Sequence, residues 1–214
     1  MQIAIAEPLA RSRGKAEQIL KAAGEVFRER GYAAASMDAV AQRADVSKAT
    51  LYVYFSGKRE LFAAVITEEG ERHSRSVITG EAGQEELRAK LLRFGHAVVE
   101  LLIAPETVAS YRMVVAEAAR FPEVGRDYYE NGAARLLKRL EDFFARAMEQ
   151  GKLRACEPRR AAEQFVGLVR GDLQLRAMLG LKESIGAAQQ SAVVRAGVDT
   201  FCRAFLTDPV GPAS

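Results

Sequence analysis

Apolar positions along the chain recur with a period near 3.6 rather than 2, so helices are expected throughout and strands are not. From Lys15 to Arg30, the residues Ile19, Ala23, Val26 and Phe27 fall on one helical face, and Gly31 follows where a left-handed residue would end the helix. After Ser36 a shorter helix of about nine residues turns Met37, Val40, Ala41 and Ala44 to one side, with Asp38 in its first turn opposing the positive end of the dipole. The stretch ADV at 44–46 has room only for a tight turn, and Ser47 can cap a third helix whose inner face is Leu51 and Phe55. Two short helices joined by such a turn form a helix-turn-helix. Beyond Ser56, which can cap the next segment, longer helices are predicted over 56–79, 84–103, 106–119, 126–150, 158–179 and 185–206. All six prolines lie between periodic segments, where they cost no helical hydrogen bond. The pattern predicts an all-α protein of about nine helices. Its expected parts are a flexible basic arm (1–14), a three-helix helix-turn-helix domain (15–60), a larger helical domain (61–208) and a tail (209–214).

Composition sharpens this picture. At 214 residues the chain can bury a core without disulfide or metal staples, and with 49% hydrophobic residues but 7% aromatics and no Trp, that core must be mostly Ala, Leu and Val. No apolar run approaches the ~20 residues of a membrane span, and Glu7 stands where a signal peptide would carry cations, so a cytoplasmic protein is expected. Cys156, Cys202, His73 and His96 share no metal-ligand or redox spacing, so neither metal nor cofactor is expected and both thiols should be reduced. The net charge is +3, and all of the excess lies in residues 1–60, which hold ten Lys and Arg against seven acids. A polyanion, if there is one, would be met there.

The segment SKATLYVYFSGKRELF, residues 47–62, concentrates the candidate chemistry. Lys48 and Tyr52 are i, i+4 neighbours on a different helical face from Leu51 and Phe55, so they point outward while the others point in. Ser47, Lys48 and Thr50 supply donors for phosphate oxygens, and Tyr52 and Tyr54 supply hydroxyls and flat rings for sugars or a thymine methyl. Lys58, in the first turn of the following helix, opposes the helix dipole, which a phosphate at that place would explain. The bland alternative is a solvated face of ordinary Lys and Tyr.

Residues 16–66, AEQILKAAGEVFRERGYAAASMDAVAQRADVSKATLYVYFSGKRELFAAVI, strongly resemble the DNA-binding domain of tetracycline-repressor-family (TetR) transcriptional regulators. The resemblance implies that Ser36, Ser47, Lys48, Ala49, Thr50, Tyr52, Tyr54 and Lys58 meet double-stranded operator DNA. Three positions depart from the family pattern: Asp45 replaces the usual turn glycine, Ala49 a frequent glycine, and Val53 the second member of a Tyr-Tyr pair, which bears on base preference. Arg11 and Arg13 in LARSRGK suit an arm reaching an adjacent groove, and equally a tail with no role.

The same resemblance implies a homodimer built on the last two helices and a pseudo-palindromic operator. Phe165, Leu168, Gly171, Leu175, Val193, Gly197, Thr200 and Phe201 lie at helical spacing there and are the candidate interface residues, with Arg170, Asp172 and Arg176 as paired charges beside them. It also implies a central pocket for a small, largely apolar effector, with Phe94, His96, Val99, Ile103, Tyr111, Val114, Tyr128, Phe144 and Met148 as candidate lining; each is also an ordinary core position. Residues 117–144 more loosely resemble the subgroup of acyl-homoserine-lactone synthesis and efflux-pump regulators. The implied function is a repressor released from its operator by an effector that favours the conformation with misplaced recognition helices, the helix at 56–79 acting as lever. The competing readings are a helical small-molecule-binding protein without specific DNA binding and an enzyme; two histidines, no Gly-rich phosphate loop and scattered carboxylates speak against the enzyme.

Overall fold

The computed structural model describes residues 6–78, 87–181 and 185–207, and these are helical apart from their connections and one isolated antiparallel bridge between Leu153 and Leu206. In chain order the helices are α1 (Ala6–Ala34), α2 (Met37–Arg43), α3 (Lys48–Tyr54), α4 (Lys58–Ile78), α5 (Leu87–Ile103), α6 (Pro105–Glu117), α7 (Pro122–Tyr128), α8 (Ala134–Glu149), α9 (Pro158–Arg170), α10 (Leu173–Met178) and α11 (Ala187–Phe205). Pro105, Pro122 and Pro158 each open a helix, at a position whose N–H has no partner within the helix anyway.

Four expectations change. Residues 6–14, expected in a flexible arm, are the first turns of α1, and Pro8 is accommodated within the first of them, where a missing N–H costs nothing. The remainder of the expected arm, 1–5, and the expected tail, 209–214, lie outside the described residues. The helix expected over 126–150 starts at Pro122 and passes through a π-helical turn, Tyr129–Ala133. There the Asn131 amide donates to the Asp127 carbonyl at 2.9 Å, occupying the acceptor that its own backbone N–H would use in an α-helix. The helix expected over 158–179 breaks at Gly171, whose φ of 50° ends α9 before α10 begins. Ser56, expected to cap α4 as an acceptor, donates instead: its backbone N–H reaches the Glu60 carboxylate at 2.8 Å and its hydroxyl joins it.

The chain divides into two compact units that do not follow chain order: residues up to 69 with 109–132, and 70–108 with 133 onward. In the first unit, Ile19, Val26, Phe27, Val40, Leu51, Leu61 and Phe62 bury against one another, and Val114 and Val124 join them from α6 and α7. The Tyr32 ring lies edge-on to both Phe62 at 5.4 Å and Phe121 at 5.8 Å. In the second unit α9 packs on α8 and α11, and α5 closes against α9 and α11. Its centre is Phe144, Phe165 and Phe201, all fully buried, with Phe144 stacked on Phe201 at 5.1 Å and Phe165 edge-on to Phe201 at 5.3 Å. Burying each such ring is worth about 2–3 kcal/mol, so three of them supply much of this unit's cohesion.

Candidate nucleic-acid interface

The site is built by the first unit. Ser36 caps α2 by accepting from the Ala39 N–H at 3.2 Å, and Ser47 caps α3 by accepting from the Thr50 N–H at 2.9 Å. Between them the chain makes a Schellman turn. Asp45 N–H donates to the Gln42 carbonyl at 3.2 Å and Val46 N–H to the Ala41 carbonyl at 3.0 Å, with Asp45 left-handed at φ 50°. Asp45 thus adopts the conformation of the glycine it replaces. The Gln18 amide of α1 donates to the Ala44 carbonyl at 2.7 Å and fixes the turn against the first helix, a contact no sequence pattern signalled.

This scaffold orients α3. Leu51 is fully buried and Phe55 nearly so, while Lys48, Ala49, Tyr52 and Val53 stand on the outer face. Tyr52 is 45% and Val53 82% exposed. Tyr54 departs from this face: it is half-buried and packs on the unit's core, so only part of its ring is offered outward. The hydroxyls of Ser47 and Thr50 lie 2.8 Å apart and share one hydrogen bond, which leaves one of their two protons for an external acceptor.

The cations are less free than their number suggests. Lys48 pairs with Asp38 of α2 at 2.7 Å, and this hydrogen bond followed by the carboxylate's charge raises its pKa; both side chains are well exposed, so a phosphate can compete for the ammonium. Lys58, expected from sequence to meet phosphate, instead directs its ammonium at the carbonyls of Tyr32, Ala33 and Ala35 at 2.9, 3.2 and 3.1 Å, and lies 4.6 Å from the Tyr32 ring centre. Three donors meet three acceptors, so the lysine closes the last turn of α1, which follows a kink at Gly31 (φ 76°). That is the physical reason a lysine is tolerated at the start of α4: the carboxyl end of another helix offsets the unfavourable dipole. Arg59, its neighbour, forms a two-pronged bond with the buried Asp127 at 2.7 and 2.8 Å, which raises the guanidinium's pKa and ties α4 to α7. Arg43 clamps α2 to Glu29 and Glu25 of α1 in the same manner. Among the described residues no cluster of His, Cys, Asp and Glu could hold a metal ion, and no helix is long and apolar enough to cross a membrane.

A helix-turn-helix presenting Lys48 and Tyr52 agrees with what the comparisons find. Residues 19–65 match the bacterial regulatory proteins of the tetR family, and residues 89–207 match the AefR-like transcriptional repressor C-terminal domain, more than half of the chain by itself. The chain belongs to the TetR family of transcriptional regulators. FasR of Mycolicibacterium smegmatis, a transcriptional activator, is 51% identical over 63 residues, which is 29% of this chain and 27% of FasR. KstR of the same organism, a transcriptional repressor, is 29% identical over 144 residues, 65% of this chain and 66% of KstR. The chain therefore spans less than two thirds of the length of these curated relatives. Among solved structures, the flavonoid-responsive regulator FrrA is 35% identical, with a TM-score of 0.75 over 90% of this chain and 97% of that one. The matched families and relatives are regulators rather than enzymes.

The remaining candidate residues of this TetR-family chain divide. Phe94, Val99 and Phe144 belong to the core of the second unit, with Ile103 and Met148 packed against it and His96 half-buried on α5. Val114 and Tyr128 belong to the first unit, where the Tyr111 ring lies 5.8 Å from that of Tyr128. Burial, then the nearby Glu69 and Tyr111, pushes the Tyr128 phenol well above its ordinary range, so it stays protonated. Of the interface candidates, Phe165, Gly197 and Phe201 are buried inside the subunit and have no surface to offer a partner. Gly171, Leu175 and Thr200 are exposed, and Leu168 and Val193 partly so. Arg176 and Asp172 pair with each other at 2.7 Å within one chain, as i, i+4 neighbours.

Proposed function

We propose that this protein is a ligand-responsive, DNA-binding repressor acting as a homodimer in the cytoplasm, released from a pseudo-palindromic operator when a small, largely apolar effector binds. Residues 15–60 read DNA, and 61–208 bind the effector and dimerise. The observation that carries the reading is the outer face of α3, where Lys48 and Tyr52 stand side by side at i, i+4 spacing on a helix fixed from behind by Leu51 and Phe55. A cation beside an exposed phenol suits a phosphate and the base edge next to it. Ser36, Ser47, Ala49 and Thr50 flank that pair, and Tyr54 contributes only its outer edge.

For the effector, the flavonoid-responsive relative and the apolar character of Phe94, Ile103 and Met148 support an apolar molecule, with His96 as an orienting polar group, while the fully buried Val99 and Phe144 back these residues from the core. Tyr111, Val114 and Tyr128 are the corresponding candidates of the first unit. For the dimer, the uncovered leucines Leu175, Leu179 and Leu181, 60%, 65% and 53% exposed, support an interface with Leu168, Gly171, Val193 and Thr200. The effector weakens operator binding by the difference between its affinities for the two conformations of the dimer.

The test is fluorescence anisotropy against labelled DNA from upstream of the protein's own gene, with salt and competitor varied. Tight, competitor-resistant binding that falls on the order of a hundredfold in Lys48→Ala/Tyr52→Ala supports the reading. Equal, weak binding to every DNA, including pools selected from random sequence, refutes it.

A further inference from the structure

We propose that Val53 is a base-reading residue of this protein, its methyl groups packing on the C5-methyl of a thymine in the major groove; this rests on the reading of α3 as the recognition helix. Val53 is 82% exposed, well above Leu179 at 65% and Val115 at 58%. It sits one position past Tyr52 and four past the exposed Ala49, so the outer face of α3 carries two adjoining strips, one polar (Lys48, Tyr52) and one apolar (Ala49, Val53). Nothing in the fold calls for valine there. It is buried against no core, and a β-branched residue in a seven-residue helix is a poorer helix former than alanine.

The strip's chemistry narrows what it can read. Ala49 and Val53 have no side-chain donor or acceptor, so they cannot recognise guanine, cytosine or adenine by hydrogen bonding. The apolar feature that a base pair presents in the major groove is the thymine methyl group. Valine is stiff at χ1, so its two methyl groups are held in place before DNA arrives and little entropy is lost on contact. Lys48 on the adjoining strip supplies the charge that brings the face to the duplex. Leu51 and Phe55 face inward, leaving Val53 as the large aliphatic group of this helix in position to touch a base.

The experiment is a methyl-deletion scan. Operators are selected from random DNA with the full-length protein, and each conserved thymine of the selected site is replaced in turn by uracil, which removes only the C5-methyl. At least one thymine per half-site should prove sensitive, with binding weakened about fourfold per half-site by the loss of one buried methyl. Val53→Ala should abolish the sensitivity at one such thymine, binding thymine and uracil there equally, while keeping its thermal stability and any sensitivity due to the Tyr52 ring, and Val53→Ile should retain the discrimination. The proposal is overturned if the wild-type protein binds its operator specifically yet is indifferent to uracil at every position, or if Val53→Ala keeps the sensitivity at every such thymine. That result leaves the regulator reading intact. Failure to select any sequence would remove that reading, and this inference with it.

Discussion

Gly197 offers a sharp test of the second unit's packing. A Cβ added there would lie 2.6 Å from the Leu168 carbonyl oxygen, 2.7 Å from its carbonyl carbon and 2.8 Å from the Val169 nitrogen, whereas ordinary contacts begin at 3.4 Å. These are backbone atoms in the last turn of α9, so no rotamer change relieves the clash and the two helices must separate by several tenths of an ångström. Doing so loosens Val169, Val194, Val198 and Phe201, all fully buried. Overpacking of this kind costs about 3 kcal/mol at the upper end of its range, and the better helix propensity of alanine returns about 1 kcal/mol. Gly197→Ala should therefore destabilise by about 2 kcal/mol and lower Tm by roughly 4–8 °C for a chain of this size. Gly167→Ala is the matched control, because an added Cβ there meets nothing within 4 Å; it should raise Tm by roughly 2–4 °C. Thermal unfolding followed by circular dichroism at several protein concentrations separates subunit stability from dimerisation. The reasoning fails if Gly197→Ala is as stable as the wild type. It fails equally if the loss is confined to low concentration, which would put Gly197 at the partner interface.

Three further outcomes follow from the first unit. Lys58→Met removes three charged hydrogen bonds at the end of α1 and should cost about 2 kcal/mol in thermal unfolding, yet leave the salt slope of operator binding unchanged; a slope reduced by about 0.9 per subunit would mean that the ammonium meets a phosphate after all. Asp45→Gly relieves a left-handed non-glycine and should stabilise by up to about 1 kcal/mol without changing operator preference, read as Tm and as selected sequence. The Glu29 and Glu60 carboxyls are held below their ordinary range, first by hydrogen bonds from Arg43 and from Ser56 respectively. Depressed carboxyl pKa values give stability that is present above about pH 4.5 and lost as pH falls through the folded-state values. The urea midpoint of Glu29→Gln/Glu60→Gln should therefore fall less steeply than that of the wild type below that pH.

The local elements were legible in the sequence because their causes are local. Ser36 and Ser47 as caps, the departure from helical geometry at Gly31 and the inward Leu51 each depend on neighbours within a few positions. A period of 3.6 also fixed which residues share a face, and so set Lys48 and Tyr52 apart from Leu51. Periodicity gives a face its polarity but not its partner. Phe165, Gly197 and Phe201 carried the same signal whether they faced a second subunit or their own core, and only the approach of α11 to α9 decided for the core. Lys58 likewise read as a free cation until the fold brought the carbonyls of Tyr32, Ala33 and Ala35 within reach, and the carboxylate that holds its neighbour Arg59, that of Asp127, is 68 positions away. Side-chain identity and spacing are written along the chain, whereas the partner that satisfies a charge or covers an apolar face is set by contacts distant in sequence.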